Sequence, residues 1–139
     1  MKLSEYFEKT DGHGMIATAD SQGKVGAAVY ARPHFINEKT VAFVMADRLM
    51  HKNLQSNPHA SYLFMESNGE DVGKRIYLTK TREEADRKLV DETLRKDVCP
   101  VDEGYIKGKR FLVYFKVDRV LPLVGVREKK RVGVSQAIA

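Results

Sequence analysis

The strand-like runs that open this chain are joined by turns of hairpin length. Met15-Ile16-Ala17-Thr18-Ala19 reads as a strand, Asp20-Ser21-Gln22-Gly23 is turn chemistry, and a second strand begins at once. That second strand runs from Val25 to Phe35 and alternates. Val25, Ala27, Val29, Ala31, Pro33 and Phe35 share one face; Gly26, Ala28, Tyr30, Arg32 and His34 share the other. Pro33 marks an edge, a bulge or the strand's end. Asn37-Glu38-Lys39 turns into a third strand, Thr40 to Met45. Parallel neighbours need a crossover of a dozen or more residues, so a doubly wound parallel sheet is excluded.

The rest of the chain adds strands and short helices. Leu3, Tyr6 and Phe7 fall at helical spacing, which predicts a helix over 3–9, ended by a flexible turn at Gly12 and Gly14. A second short helix spans Leu49 to Ser56 and stops at Asn57-Pro58. His59 to Met65 and Lys74 to Thr81 read as strands, separated by a Ser67-Asn68-Gly69-Glu70-Asp71 loop. Thr81-Arg82-Glu83-Glu84 has the form of a capping box. With the apolar stripe Ala85, Leu89, Leu94 it predicts a helix over 82–96, ended by Cys99-Pro100. Phe111 to Val120 is the last strand, with Phe111, Val113, Phe115 and Val117 on one face, and Leu121 to Val126 as its extension. The sum is a mainly β chain: six antiparallel strands with short inserted helices, closed into a barrel to remove their edges.

A length of 139 residues leaves room for one domain, assigned to 1–126, followed by a basic tail at 127–139. Net charge is +5, and Arg127-Glu128-Lys129-Lys130-Arg131 alone contributes +3 of it. The body is therefore nearly balanced, unlike the basic face of a dedicated nucleic-acid binder. No apolar run approaches the ~20 residues needed to cross a membrane. The N-terminus lacks the apolar core of a signal peptide, and the single Cys99 excludes an intrachain disulfide. The expected location is the cytoplasm.

Few constellations carry chemistry. Gly12-His13-Gly14-Met15-Ile16-Ala17 fits a G-x-G-x-x-A string, but it follows a helix and opens a strand, the reverse of a dinucleotide fingerprint. His13, His34, His51 and His59 have no metal-ligand spacing, and no nucleophile elbow is present. One cluster stands out. Arg32 lies on the strand face with Gly26, Ala28 and Tyr30, where small residues leave room for something flat. Asp47-Arg48-Leu49-Met50-His51-Lys52 puts basic residues at the start of a helix, whose free N–H groups suit a phosphate. Arg32 and Lys52 could hold a dianion from two elements; Arg32 could equally pair with Asp47 or Asp20.

The stretch Tyr30-Ala31-Arg32-Pro33-His34-Phe35, then Val41-Ala42-Phe43, then Met50 through Phe64 resembles the pyridoxamine 5′-phosphate oxidase-like, FMN-binding split-barrel family. Ile16 through Gly23 is similar to that family's first hairpin. The resemblance implies a six-stranded split barrel that forms a homodimer, with FMN at the interface. It implies Arg32 and Lys52 on the phosphate, with Met50 and His51 beside them where many members carry a hydroxyl and an arginine. The flavin ring would lie along Tyr30, Ala31 and Arg32 and along Val44, Met45 and Ala46. The C-terminal Arg-x-His element of the true oxidases is missing, so vitamin B6 chemistry is not expected.

The expected function is an FMN-dependent oxidoreductase, flavin-reductase-like, taking hydride from NADH or NADPH or electrons from a redox partner. A non-catalytic flavin carrier or redox sensor is the alternative, and haem or a deazaflavin are alternative ligands. A remote alternative is a small basic barrel that binds nucleic acid through its tail and Lys107-Gly108-Lys109-Arg110.

Overall fold

The computed structural model describes residues 1–94 and 108–125. Its elements are α1 (Leu3–Lys9), β1 (Gly12–Ala19), β2 (Val25–Val29), β3 (His34–Asn37), β4 (Thr40–Ala46), α2 (Leu49–Ser56), β5 (His59–Glu66), β6 (Gly73–Glu84), α3 (Arg87–Leu94) and β7 (Arg110–Pro122). The strands form one antiparallel sheet in the order β2-β1-β5-β6-β7-β4-β3. Cys99 and the tail at 127–139 fall outside the described residues.

The first and last strands of that sheet, β2 and β3, are consecutive in sequence. Residues 30–33 alone join them, so Val29 and His34 are at most about 18 Å apart. A seven-stranded sheet whose outer edges are tied so closely must curl. β2 bonds only to β1, and β3 only to β4, so the barrel stays open between them. The single long second strand expected from the alternation is thus two strands broken before Pro33, and the count is seven rather than six. Proline has no N–H to give the ladder, so the chain leaves one side of the split and starts again on the other.

The inner face holds the main core. Ile16, Phe43, Tyr62, Phe64, Ile76, Leu78, Val113 and Phe115 are all buried there, with Phe7 of α1 against them. Phe7 meets Phe64 edge-on at 4.9 Å, which plugs one end of the barrel. The outer face of β4 and β7 carries a second cluster, Ala42, Val44, Leu112 and Tyr114, covered by Val90 and Leu89 of α3. β4 and the Phe111–Phe115 part of β7 are therefore buried on both faces.

Gly12 and Gly14 do not form a turn; they lie inside β1. A Cβ on Gly14 would sit 1.9 Å from the hydroxyl of Tyr62, so only glycine admits that side chain. The capping box is also corrected. β6 continues through Glu84, and α3 begins at Arg87, where Asp86 caps it by accepting from the Leu89 N–H at 3.1 Å. Glu83 is drawn instead into contacts with α2.

Candidate functional site

The second helix sits where the split opens. Its inner side is fixed by a short buried chain of bonds: Asn53 Nδ2 donates to Thr18 Oγ1 at 3.0 Å, and Thr18 Oγ1 lies 3.3 Å from Met50 Sδ. Met50 is buried against Gly26, where an added Cβ would come within 2.8 Å of its terminal methyl. Gly26 of β2 therefore makes room for the side chains of α2.

His51 is buried as well. Its ring stacks on Phe111 with centroids 3.9 Å apart and planes 4° from parallel. Nε2 lies 2.9 Å from Glu83 Oε2; a carboxylate only accepts, so Nε2 carries the proton. Asp47 is 3.8 Å from Nδ1. Gln55 and Lys80 donate to the other oxygen of Glu83 at 3.0 and 2.6 Å. Burial pushes the Glu83 carboxyl up, but bonds from Lys80, Gln55 and His51 outweigh it and hold it at about 2. This knot ties α2 to β6 and β7. Glu83 was read as half of a helix cap, and only the sheet register brings it to His51.

The start of α2 has different character. No side chain caps it, and its first turn holds no acidic residue. Its leading N–H groups have no intrahelical partner. Arg48 and Lys52 stand exposed beside them, and neither forms an ion pair among the described residues. Across the split lies Tyr30, edge-on to Phe43 at 6.1 Å. Burial pushes its phenol up to about 12, against the pull of the Arg48 charge. The Tyr30 carbonyl accepts from Tyr62 Oη at 3.2 Å and its N–H donates to Gly14 O at 3.0 Å. Gly14, Tyr62 and Tyr30 thus fix the backbone at one lip of the opening. β4 forms the other lip, running past the end of β3 from Ala42 to Ala46.

The other sequence candidates fall in three places. Val44 is buried under α3, and Met45 and Ala46 are buried in β4. Ala31 is half-buried on the link between β2 and β3. Arg32 is turned to α1: Nη1 donates to the carbonyl of Phe7, and Nη2 lies 4.0 Å from Asp11. It pairs with neither Asp47 nor Asp20, and no described contact joins it to Lys52. Arg48, from the same basic string, is the cation that acts on Tyr30. Among the described residues no three His, Cys, Asp or Glu side chains are grouped to hold a metal ion. No helix among them is long and apolar enough to cross a membrane. Arg110 of the proposed nucleic-acid patch is buried and paired with Asp91, and Lys107 falls outside the described residues.

No protein-family model and no curated protein matches the sequence. Solved structures do match. An FMN-binding protein from Syntrophomonas wolfei superimposes with TM-score 0.69 at 17% identity, over 91% of this chain and 86% of that one. HupZ from Group A Streptococcus gives 0.68 at 16% identity, over 88% and 94%. A Lactobacillus delbrueckii protein named after pyridoxamine 5′-phosphate oxidase gives 0.61 at 13% identity, over 84% and 88%. The chain has the split-barrel fold of the pyridoxamine 5′-phosphate oxidase-like proteins. At these identities the likeness is one of fold.

Proposed function

We propose that this protein binds FMN at the mouth of the split, between the start of α2 and the lips formed by Tyr30–Arg32 and Val44–Ala46. The observation that carries the reading is the uncapped, acid-free first turn of α2 with Arg48 and Lys52 beside it. Free N–H groups, a positive helix end and unpaired cations make a phosphate site. Lys52 and Arg48 are assigned to the phosphate, with the N–H groups of Leu49, Met50 and His51. Arg32 would have to release Phe7 and Asp11 to join them. Asp47, beside the same turn, is outnumbered by Arg48 and Lys52, which leaves the site cationic.

Bound flavin would supply hydride or electron transfer, fed by a reduced nicotinamide or a redox partner. The chain's own part is to position it: the backbone held by Gly14, Tyr62 and Tyr30 gives the ring a fixed edge. A second copy is expected to complete the pocket. Val25 and Val29, each 76% exposed, and Ile36 and Leu49, each 56% exposed, put apolar surface at the open edge and on α2 beside it. The homodimer would cover them.

The test is an FMN titration followed by flavin fluorescence. Wild type should quench the flavin and elute as a dimer by light scattering. Lys52→Ala and Arg48→Gln should each weaken binding about tenfold, one charge-assisted contact apiece. A protein that takes up no FMN, or whose affinity survives loss of both cations, would refute the assignment. If FMN binds but neither NADH nor NADPH reduces it, the carrier reading replaces the enzyme.

A further inference from the structure

On the outer face of β7, Arg110 is buried to 5% side-chain exposure. Its Nη2 donates to Asp91 Oδ1 at 2.9 Å. Its Nη1 is buried and has no hydrogen-bond partner among the described residues. A guanidinium buried with an idle donor is costly, and folded chains rarely leave one so. The residue lines a cleft of about 260 Å³ with Ala85, Arg87, Val90, Gly108 and Lys109. The cleft opens at the start of α3, where Arg87 and Lys88 have N–H groups without intrahelical partners. Arg87 is exposed at its rim, and the ammonium of Lys109 lies 5.4 Å over the Phe111 ring.

We propose that this cleft is an anion site for a phosphate or carboxylate group, with the idle Nη1 of Arg110 as its floor and Arg87 as its outer clamp. A guanidinium donates to an oxyanion through a planar fork, and here one arm of the fork is already fixed by Asp91. The second arm is then pre-aimed, and an arriving anion need order only Arg87. Asp91 offsets one positive charge and Asp86, which caps α3, a second; Arg110, Arg87 and Lys109 still leave the cleft cationic. The site does not depend on the flavin reading: by strand alternation Arg110 lies with Leu112 and Tyr114, on the face of β7 opposite to Phe111, which bears His51.

The experiment is thermal unfolding of the full chain at increasing inorganic phosphate, with chloride at matched ionic strength as the reference. Acetate and a tricarboxylate titrated in the same way separate phosphate from carboxylate preference. Wild type should show a saturable rise in midpoint that chloride does not give. Arg87→Gln, at an exposed position that the fold does not need, should require about tenfold more anion for the same rise. Arg110→Lys, which keeps the charge and loses the fork, should weaken it similarly. In Lys52→Ala, which weakens the phosphate site proposed at α2, a saturable rise should remain, and Arg87→Gln in that background should still weaken it. Absence of a saturable rise with every anion would overturn the site. So would a rise that Lys52→Ala abolishes, which would put the anion at α2, or one that survives Arg87→Gln in the Lys52→Ala background.

Discussion

His51 and Arg110 are both buried polar side chains seated against β7, and they contrast in one respect. Around His51 the hydrogen bonds are made: Glu83 accepts from the ring N–H, Gln55 and Lys80 donate to the other oxygen of Glu83, and Phe111 covers the ring. Around Arg110 the account is half complete, with Asp91 on one arm and, among the described residues, no partner on the other. A satisfied cluster holds elements together and has no capacity left for a ligand. An unsatisfied one is paid for by the fold and is a place where a ligand can repay the cost. The same distinction separates Arg32, taken up by α1, from Arg48 and Lys52, which are not.

The contrast can be broken from the Arg110 side first. Asp91→Ala should remove the described carboxylate partner of a buried guanidinium and cost about 2–3 kcal/mol in urea unfolding. If Arg110 tolerates that loss without penalty, it is not buried as a charge. Phosphate at saturating concentration should restore part of the lost stability.

The His51 side is tested by acid. The Glu83 carboxyl is held at about 2 in the fold against an ordinary value of 4.5. A depressed carboxylate adds stability above its unfolded value and loses it as pH falls toward the folded one. Wild type should therefore weaken steadily from about pH 5 to about pH 2. Glu83→Gln should start less stable by about 1–2 kcal/mol and show a flatter acid limb. An unchanged limb would mean the carboxylate is not tied to His51 and Lys80. His51→Phe sharpens this further: it keeps a ring on Phe111 and removes the bond to Glu83, so its acid limb should shift partway toward that of Glu83→Gln.

The smallest effect is expected at Gly26. The added methyl of Gly26→Ala meets the flexible end of Met50, which can turn aside, so a loss below about 1 kcal/mol is expected by chemical denaturation. A large loss would show that α2 is held rigidly against β2, and the FMN titration of the same variant would report whether the lip of the split moves with it.

Much of this was legible in the sequence because it is local. The helices at 3–9 and 49–56 follow from spacing and from Asn57-Pro58, and the inner face of the last strand follows from alternation of Phe111, Val113 and Phe115. Antiparallel pairing follows from turn length. The break at Pro33 was marked but not resolved, because a proline signals an irregularity without saying whether the strand bulges, ends or changes edge. The helix expected over 82–96 is present but begins only at Arg87, for a non-local reason: pairing with β7 carries β6 on through Glu84, and sheet hydrogen bonds outweigh a helix cap.

The basic string before Lys52 was readable as an anion site, since a helix start and its charges are neighbours in the chain. Which cations are free was not readable. Arg32 is spent on a carbonyl 25 residues away, His51 on a carboxylate 32 residues away, and Arg110 on an acid 19 residues back. Sequence fixes what each side chain can donate or accept. Only the closed sheet decides which donors meet a partner, because that depends on register across strands distant in the chain. The donors left over, at the start of α2 and beneath α3, are the ones on which both proposed sites rest.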